Sequence, residues 1–197
     1  MGILRDKGVF CKLDRDMMEY SKTFSCGNED LDEFFHGDFI VYAESLFGKS
    51  YCFFNGDKTD ELICAFTVAN ASIFTNRLPN SRKKKVGKEV PFQKRDLIYP
   101  AVLIGRLGID VNYQHCHVGS ELLDFIKAWF LEPDNKTGCR YLIVDAYNEE
   151  TPISFYRKNG FEFIFNSEEQ ERDYRRIDGN DSLNTRLMYY DLIRLVK

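Results

Sequence analysis

Apolar and polar residues alternate along this chain in two periods, and the switches between them mark its elements. "VFCKLDR" near the N-terminus reads as a first strand. Over residues 27–47, Leu31, Phe34, Phe35, Phe39 and Tyr42 fall roughly at i, i+3, i+4 spacing, which predicts a helix. Asn28 is placed to cap it, with Glu29, Asp30 and Asp32 in the first turn. "SYCFFN" and "ELICAFTVAN" are rich in aromatic and β-branched residues and read as two strands joined by the turn "GDKTD". "YPAVLIGRLGIDV" is nearly all apolar, the mark of a strand covered on both faces. Its Gly105 and Gly108 point to a bulge or a close backbone approach. A helix is expected from about 118 to 131, then the buried strand "CRYLIVDAY" and the short helix "TPISFYRKN". Thr151 is expected to cap that short helix, with Pro152 at its first position and Gly160 at its end. "FEFIFN" and "NTRLMYYDLIRL" read as the last two strands. Between them "SEEQERDYRRIDGND", with six acidic and three basic residues, reads as a charged loop.

The order is strand, helix, two strands, long loop, strand, helix, strand, helix, two strands. This predicts an α/β fold with a mixed sheet, whose parallel part spans residues 101–159 with right-handed crossovers. A length of 197 residues suits one domain, 1–197. No apolar run is long enough to cross a membrane, and the charged N-terminus lacks the apolar core of a secretory signal. A cytoplasmic protein is therefore expected. Six scattered cysteines with no C-x-x-C pair then read as reduced thiols.

Charge changes the picture at one place. The formal net charge is −4, which gives no global sign of nucleic-acid binding. Yet the stretch that opens on Arg77 and runs past Arg95 to Asp96 holds eight Lys/Arg against Glu89 and Asp96, a local +6, leaving −10 for the rest. Its Pro and Gly punctuation reads as a loop. Such a segment is either a solvated loop or a contact to RNA phosphates.

The candidate chemistry lies in "YQHCHVGSELLDF", residues 113–125. His115, Cys116 and His117 suggest a metal site, but three or four convergent ligands are needed and the remaining histidine, His36, is far away in sequence. No metal site is therefore expected. The other reading is a loop feeding a helix N-terminus. Unpaired N–H groups and the helix dipole there favour anions, Gly119 allows close approach, and Ser120 adds a hydroxyl.

"LGIDVNYQHCHVGSELL" resembles the acetyl-CoA-binding segment of the GCN5-related N-acetyltransferases (GNAT), whose pattern is Gln/Arg-x-x-Gly-x-Gly/Ala between a strand and a helix. Gln114, His117 and Gly119 stand at its fixed positions, with His117 in place of the first glycine. "FYRKNGF", residues 155–161, resembles the family's second hallmark. "FSCGNEDLDEFF", the long basic loop and "NTRLMYYDL" resemble the subgroup that includes aminoacyl-tRNA-acetylating toxins. The resemblance implies a three-layer α/β/α fold around a twisted, mostly antiparallel mixed sheet of six or seven strands. It implies acetyl-CoA as cosubstrate and an amine acceptor, whether a small molecule, a protein or an aminoacyl-tRNA.

By the same resemblance, Leu107, Gly108 and Ile109 would bind pantetheine through their backbone. Gln114, His115, Cys116, His117, Val118, Gly119 and Ser120 would hold the pyrophosphate. Tyr156 would protonate the leaving thiolate, its phenol being neutral at pH 7. Asn148 would contact the pantetheine arm, although it lies one residue further from Tyr156 than the family spacing. Asp110, Asp145 or water would take the proton of the acceptor amine, with water favoured. A homodimer is compatible with the resemblance, as is a non-catalytic CoA-binding regulatory module.

Overall fold

A computed structural model describes residues 2–21, 23–88, 90, 98–179 and 181–196. The chain forms a seven-stranded sheet in the order β1-β2-β3-β4-β5-β7-β6. The strands are β1 (Gly8–Lys12), β2 (Lys49–Asn55), β3 (Lys58–Phe74), β4 (Ile98–Ile109), β5 (Tyr141–Tyr147), β6 (Glu162–Phe163) and β7 (Thr185–Asp191). The pairs β1/β2, β2/β3, β5/β7 and β6/β7 are antiparallel. β4 and β5 are neighbours joined through a helix, the crossover that parallel neighbours need. This is the mixed open sheet that the resemblance implies.

All seven strands occur in the expected order. "FEFIFN" contributes only two residues to β6, because the chain turns away after Phe163. The helix expected over 27–47 is built of α3 (Glu29–Glu33), a π turn (Phe34–Asp38) and α4 (Phe39–Glu44). Asn28 caps it as expected, its side chain accepting from Leu31 N–H at 3.1 Å. Sequence periodicity missed α1 (Ile3–Lys7), α2 (Arg15–Tyr20), α5 (Asn80–Val86) and α8 (Glu168–Arg175). α5 lies inside the stretch read as a basic loop and α8 inside the acidic one. Helices α6 (Val118–Trp129) and α7 (Glu150–Lys158) are where they were expected. α7 starts early, with Glu149 rather than Thr151 at its N-cap position and no side-chain cap bond, so Pro152 occupies its third position, still within the turn that needs no N–H partner.

The chain divides into two compact units, Met1–Ala69 with Ile104–Glu132, and Asn70–Leu103 with Pro133–Lys197. In the first, one face of the sheet is covered by a core of Leu13, Met18, Phe24, Phe35, Phe39, Cys52, Leu62 and Ala65, drawn from β2, β3, α2, the π turn, α4 and the segments that follow β1 and α2. Its other face carries Phe10, Tyr51, Phe53 and Phe66, whose rings meet Phe125 and Trp129 of α6 at centroid distances from 4.7 to 6.3 Å. The first unit is thus helix, sheet, helix. In the second, Ile73, Val86, Tyr99, Tyr141, Ile143, Ile164, Phe165 and Tyr189 form one buried cluster.

Candidate active site

In the first unit, β4 ends at Ile109 and its polar continuation builds a fixed loop. The Asp110 carboxylate is buried and accepts from the N–H of Asn112 (2.9 Å), the Asn112 side-chain amide (2.9 Å) and the N–H of Ser25 (3.2 Å). Tyr113 donates its hydroxyl to Glu61 (2.8 Å) and accepts from the Asn55 amide (2.9 Å). Gln114 donates to two carbonyls, Cys26 (2.8 Å) and Ile109 (3.0 Å). These side chains hold the loop from behind, and of them the family pattern marked only Gln114. Gly108 is close-packed: a Cβ there would lie 3.2 Å from Phe35 and 3.3 Å from Cys26.

The loop then turns through His115 (φ 59°) and His117 (φ 64°), both in the left-handed region. His117 is the residue before α6, and its carbonyl accepts from the N–H groups of Ser120 (3.0 Å) and Glu121 (3.1 Å). Among the described residues, nothing accepts from the N–H groups of His115, Cys116, His117, Val118 and Gly119. Successive unpaired amides with left-handed residues between them form an anion-binding concavity, and the dipole of a twelve-residue helix stands behind it. A pyrophosphate fits this donor set. The side chains of His115, Cys116 and His117 are all exposed, and among the described residues no three His, Cys, Asp or Glu groups converge as metal ligands.

Tyr156 lies on α7 in the second unit, half-buried, its ring against Phe155 (5.1 Å) and Phe161 (5.5 Å). Its hydroxyl has no hydrogen-bond partner among the described residues, and burial pushes its pKa above the ordinary tyrosine value. The helix is closed by Gly160 (φ 83°), with Phe161 N–H bonded back to the Tyr156 carbonyl at 3.0 Å, a Schellman end. A Cβ at Gly160 would also meet Tyr190 at 2.9 Å.

Asn148 follows β5 and uses its side-chain amide within the chain, on Glu168 (3.0 Å) and the Leu183 carbonyl (2.8 Å). Only its carbonyl oxygen is left for a ligand. Asp145 is held by both terminal nitrogens of Arg175, at 2.6 and 3.2 Å.

A family model described as "Acetyltransferase (GNAT) domain" matches residues 78–163. No curated protein sequence matches the chain. Solved structures do. A tyrosine-to-phenylalanine mutant of KacT is 21% identical, covering 97% of this chain and 98% of that one, with a TM-score of 0.67. AtaT complexed with acetyl-methionyl-tRNAfMet is 17% identical over 96% and 97%, with a TM-score of 0.64. AtaTR bound with AcCoA is 17% identical over 98% and 99%, with a TM-score of 0.62. The stretch matched by the acetyltransferase (GNAT) domain model includes the strand, the amide-lined loop, the helix after it and Tyr156, and the solved structures share the fold of the whole chain.

Proposed function

We propose that this enzyme moves the acetyl group of acetyl-CoA to the α-amine of an aminoacyl-tRNA, with the residues around the amide-lined loop and Tyr156 as its machinery. The observation that carries the cosubstrate assignment is the run of unpartnered N–H groups from His115 to Gly119 at the start of α6. They bind the pyrophosphate, and the backbone of Leu107, Gly108 and Ile109 receives the pantetheine arm. A backbone amide near Leu107 stabilises the oxyanion as the amine attacks the thioester carbonyl. As the tetrahedral intermediate breaks, the Tyr156 phenol gives its proton to the sulfur of the departing CoA. Its raised pKa keeps that proton in place throughout the neutral range. The acceptor's proton leaves to water, since Asp145 is paired with Arg175 and Asp110 is saturated by loop donors.

The acceptor assignment rests on two supports. One is the basic helix α5, where Lys83, Lys84 and Lys88 beside it have no acidic partner among the described residues. The other is likeness to AtaT, whose structure holds an acetylated, charged tRNA. KacT and AtaT are also known in complexes with a second protein or with DNA, and a protein partner for this chain belongs to the same proposal.

The test is incubation with acetyl-CoA and charged tRNA, following CoA release and the mass of the aminoacyl adenosine. Acetylated aminoacyl-tRNA is expected. Tyr156→Phe should keep acetyl-CoA affinity by calorimetry and lose about 10²-fold or more in turnover. Acetyl-CoA binding without CoA release on any amine would point instead to a regulatory module.

A further inference from the structure

Two cysteines distant in sequence stand directly opposite each other at the edge of the sheet. Cys11 of β1 pairs in register with Cys52 of β2, and their sulfurs lie 3.3 Å apart. Two residues along, Leu13 N–H bonds to the Ser50 carbonyl at 3.0 Å. By the alternation of an antiparallel ladder, Cys11 and Cys52 therefore occupy a hydrogen-bonded pair, with α-carbons about 5.5 Å apart. That separation lies inside the range a disulfide spans without backbone movement, roughly 4.4–6.8 Å. Closing the sulfurs to about 2.05 Å needs only side-chain rotation. No other thiol–thiol contact occurs among the described residues, and all six cysteines are free.

We propose that Cys11 and Cys52 are a redox modification site, a dithiol that closes to a disulfide on reaction with a hydroperoxide. Cys11 is the half-exposed partner and Cys52 is fully buried. Cys11 attacks the terminal peroxide oxygen. The O–O bond breaks, an alcohol or water leaves, and Cys11 becomes a sulfenic acid. Cys52 then attacks the Cys11 sulfur, the S–O bond breaks, and water leaves with the Cys52 proton. Two thiols lose two electrons and the hydroperoxide gains them. The hydrogen bond with Cys52 lowers the Cys11 pKa, which makes Cys11 the more acidic thiol of the pair. Cys26 and Cys139 are held up by burial, to about 12 and about 11.

The sequence provides a clean assay. Trypsin places the two thiols in separate peptides, GVFCK and SYCFFNGDK. The full chain is treated with hydrogen peroxide, alkylated, digested without reductant and read by mass spectrometry. The expected product is these two peptides joined, two hydrogens lighter than their sum, cleaved by dithiothreitol and absent from Cys11→Ser. The melting temperature of the oxidised wild-type protein should rise by about 5 °C, reversibly, because a cross-link over this loop constrains the unfolded chain. Both peptides recovered alkylated while the exposed Cys116 is oxidised, or Cys11 joined to another cysteine, would overturn the proposal.

Discussion

His117 shows what a residue pattern conveys and what it hides. The family pattern has glycine there, and the sequence shows only that this chain does not. The backbone supplies the reason for the glycine: φ 64°, ψ 4°, a left-handed turn that starts α6 and leaves the preceding amides unpaired. An L-residue in that region costs about 1–2 kcal/mol, histidine at the lower end, and His115 repeats the cost two residues earlier. His117→Gly should therefore raise the urea midpoint, corresponding to an unfolding free energy higher by up to about 1 kcal/mol after the added freedom of glycine in the unfolded chain. A lower midpoint would mean that the imidazole contributes contacts beyond the backbone. The place of Tyr156 on a short helix closed by Gly160 was legible from "FYRKNGF". The anchors Asp110 and Tyr113 were not, because their partners Ser25, Asn55 and Glu61 lie 52 to 85 residues away and no local spacing marks them.

At the scale of elements, strands were legible because burial on one or both faces writes itself into long apolar runs. The missed helices carry no such stripe. α8 docks through charge: Glu171, fully buried, accepts from Arg175 (2.7 Å), Arg186 (2.8 Å) and the N–H of Leu187 (2.6 Å). Removing one partner of a buried pair strands the others, so Glu171→Gln should cost about 3 kcal/mol in denaturant unfolding. A change below about 1 kcal/mol would show that the network is solvated.

Glu168 at the start of the same helix accepts from Leu183 N–H (2.8 Å) and Asn148 (3.0 Å). These bonds lower its pKa below the ordinary 4.5, the Leu183 bond most. Because the folded pKa is the lower one, its stabilisation is complete above the unfolded pKa and is lost as pH falls through the folded value. Glu168→Gln should accordingly flatten the acid limb of stability below about pH 4.5 and leave its slope near pH 7 unchanged.

For the whole molecule, the +6 segment was the feature most visible in sequence, and the structure redistributes it. Arg82 is buried, bonded to the carbonyls of Ile164 (2.6 Å) and Phe163. Lys85 pairs with Glu162, and Arg77 lies over the Phe74 ring at 5.3 Å. Lys94 and Arg95 lie outside the described residues. Among the described residues of the segment, Lys83, Lys84 and Lys88 remain as cations without an ion-pair or ring partner. Lys83→Ala with Lys84→Ala should weaken tRNA binding and reduce the slope of log affinity against log salt by about 1 to 2. An unchanged slope would remove α5 from the interface.

The aromatic face of the first unit has an optical consequence. Trp129 is the single tryptophan of the chain, and it is ringed by Phe10, Tyr51, Phe66, Phe125 and Phe130. Its emission reports melting of that unit alone, while far-ultraviolet dichroism reads both. Superposed fluorescence and dichroism curves mark one cooperative transition, and a fluorescence curve that moves first marks the unit carrying the amide-lined loop as the one that opens.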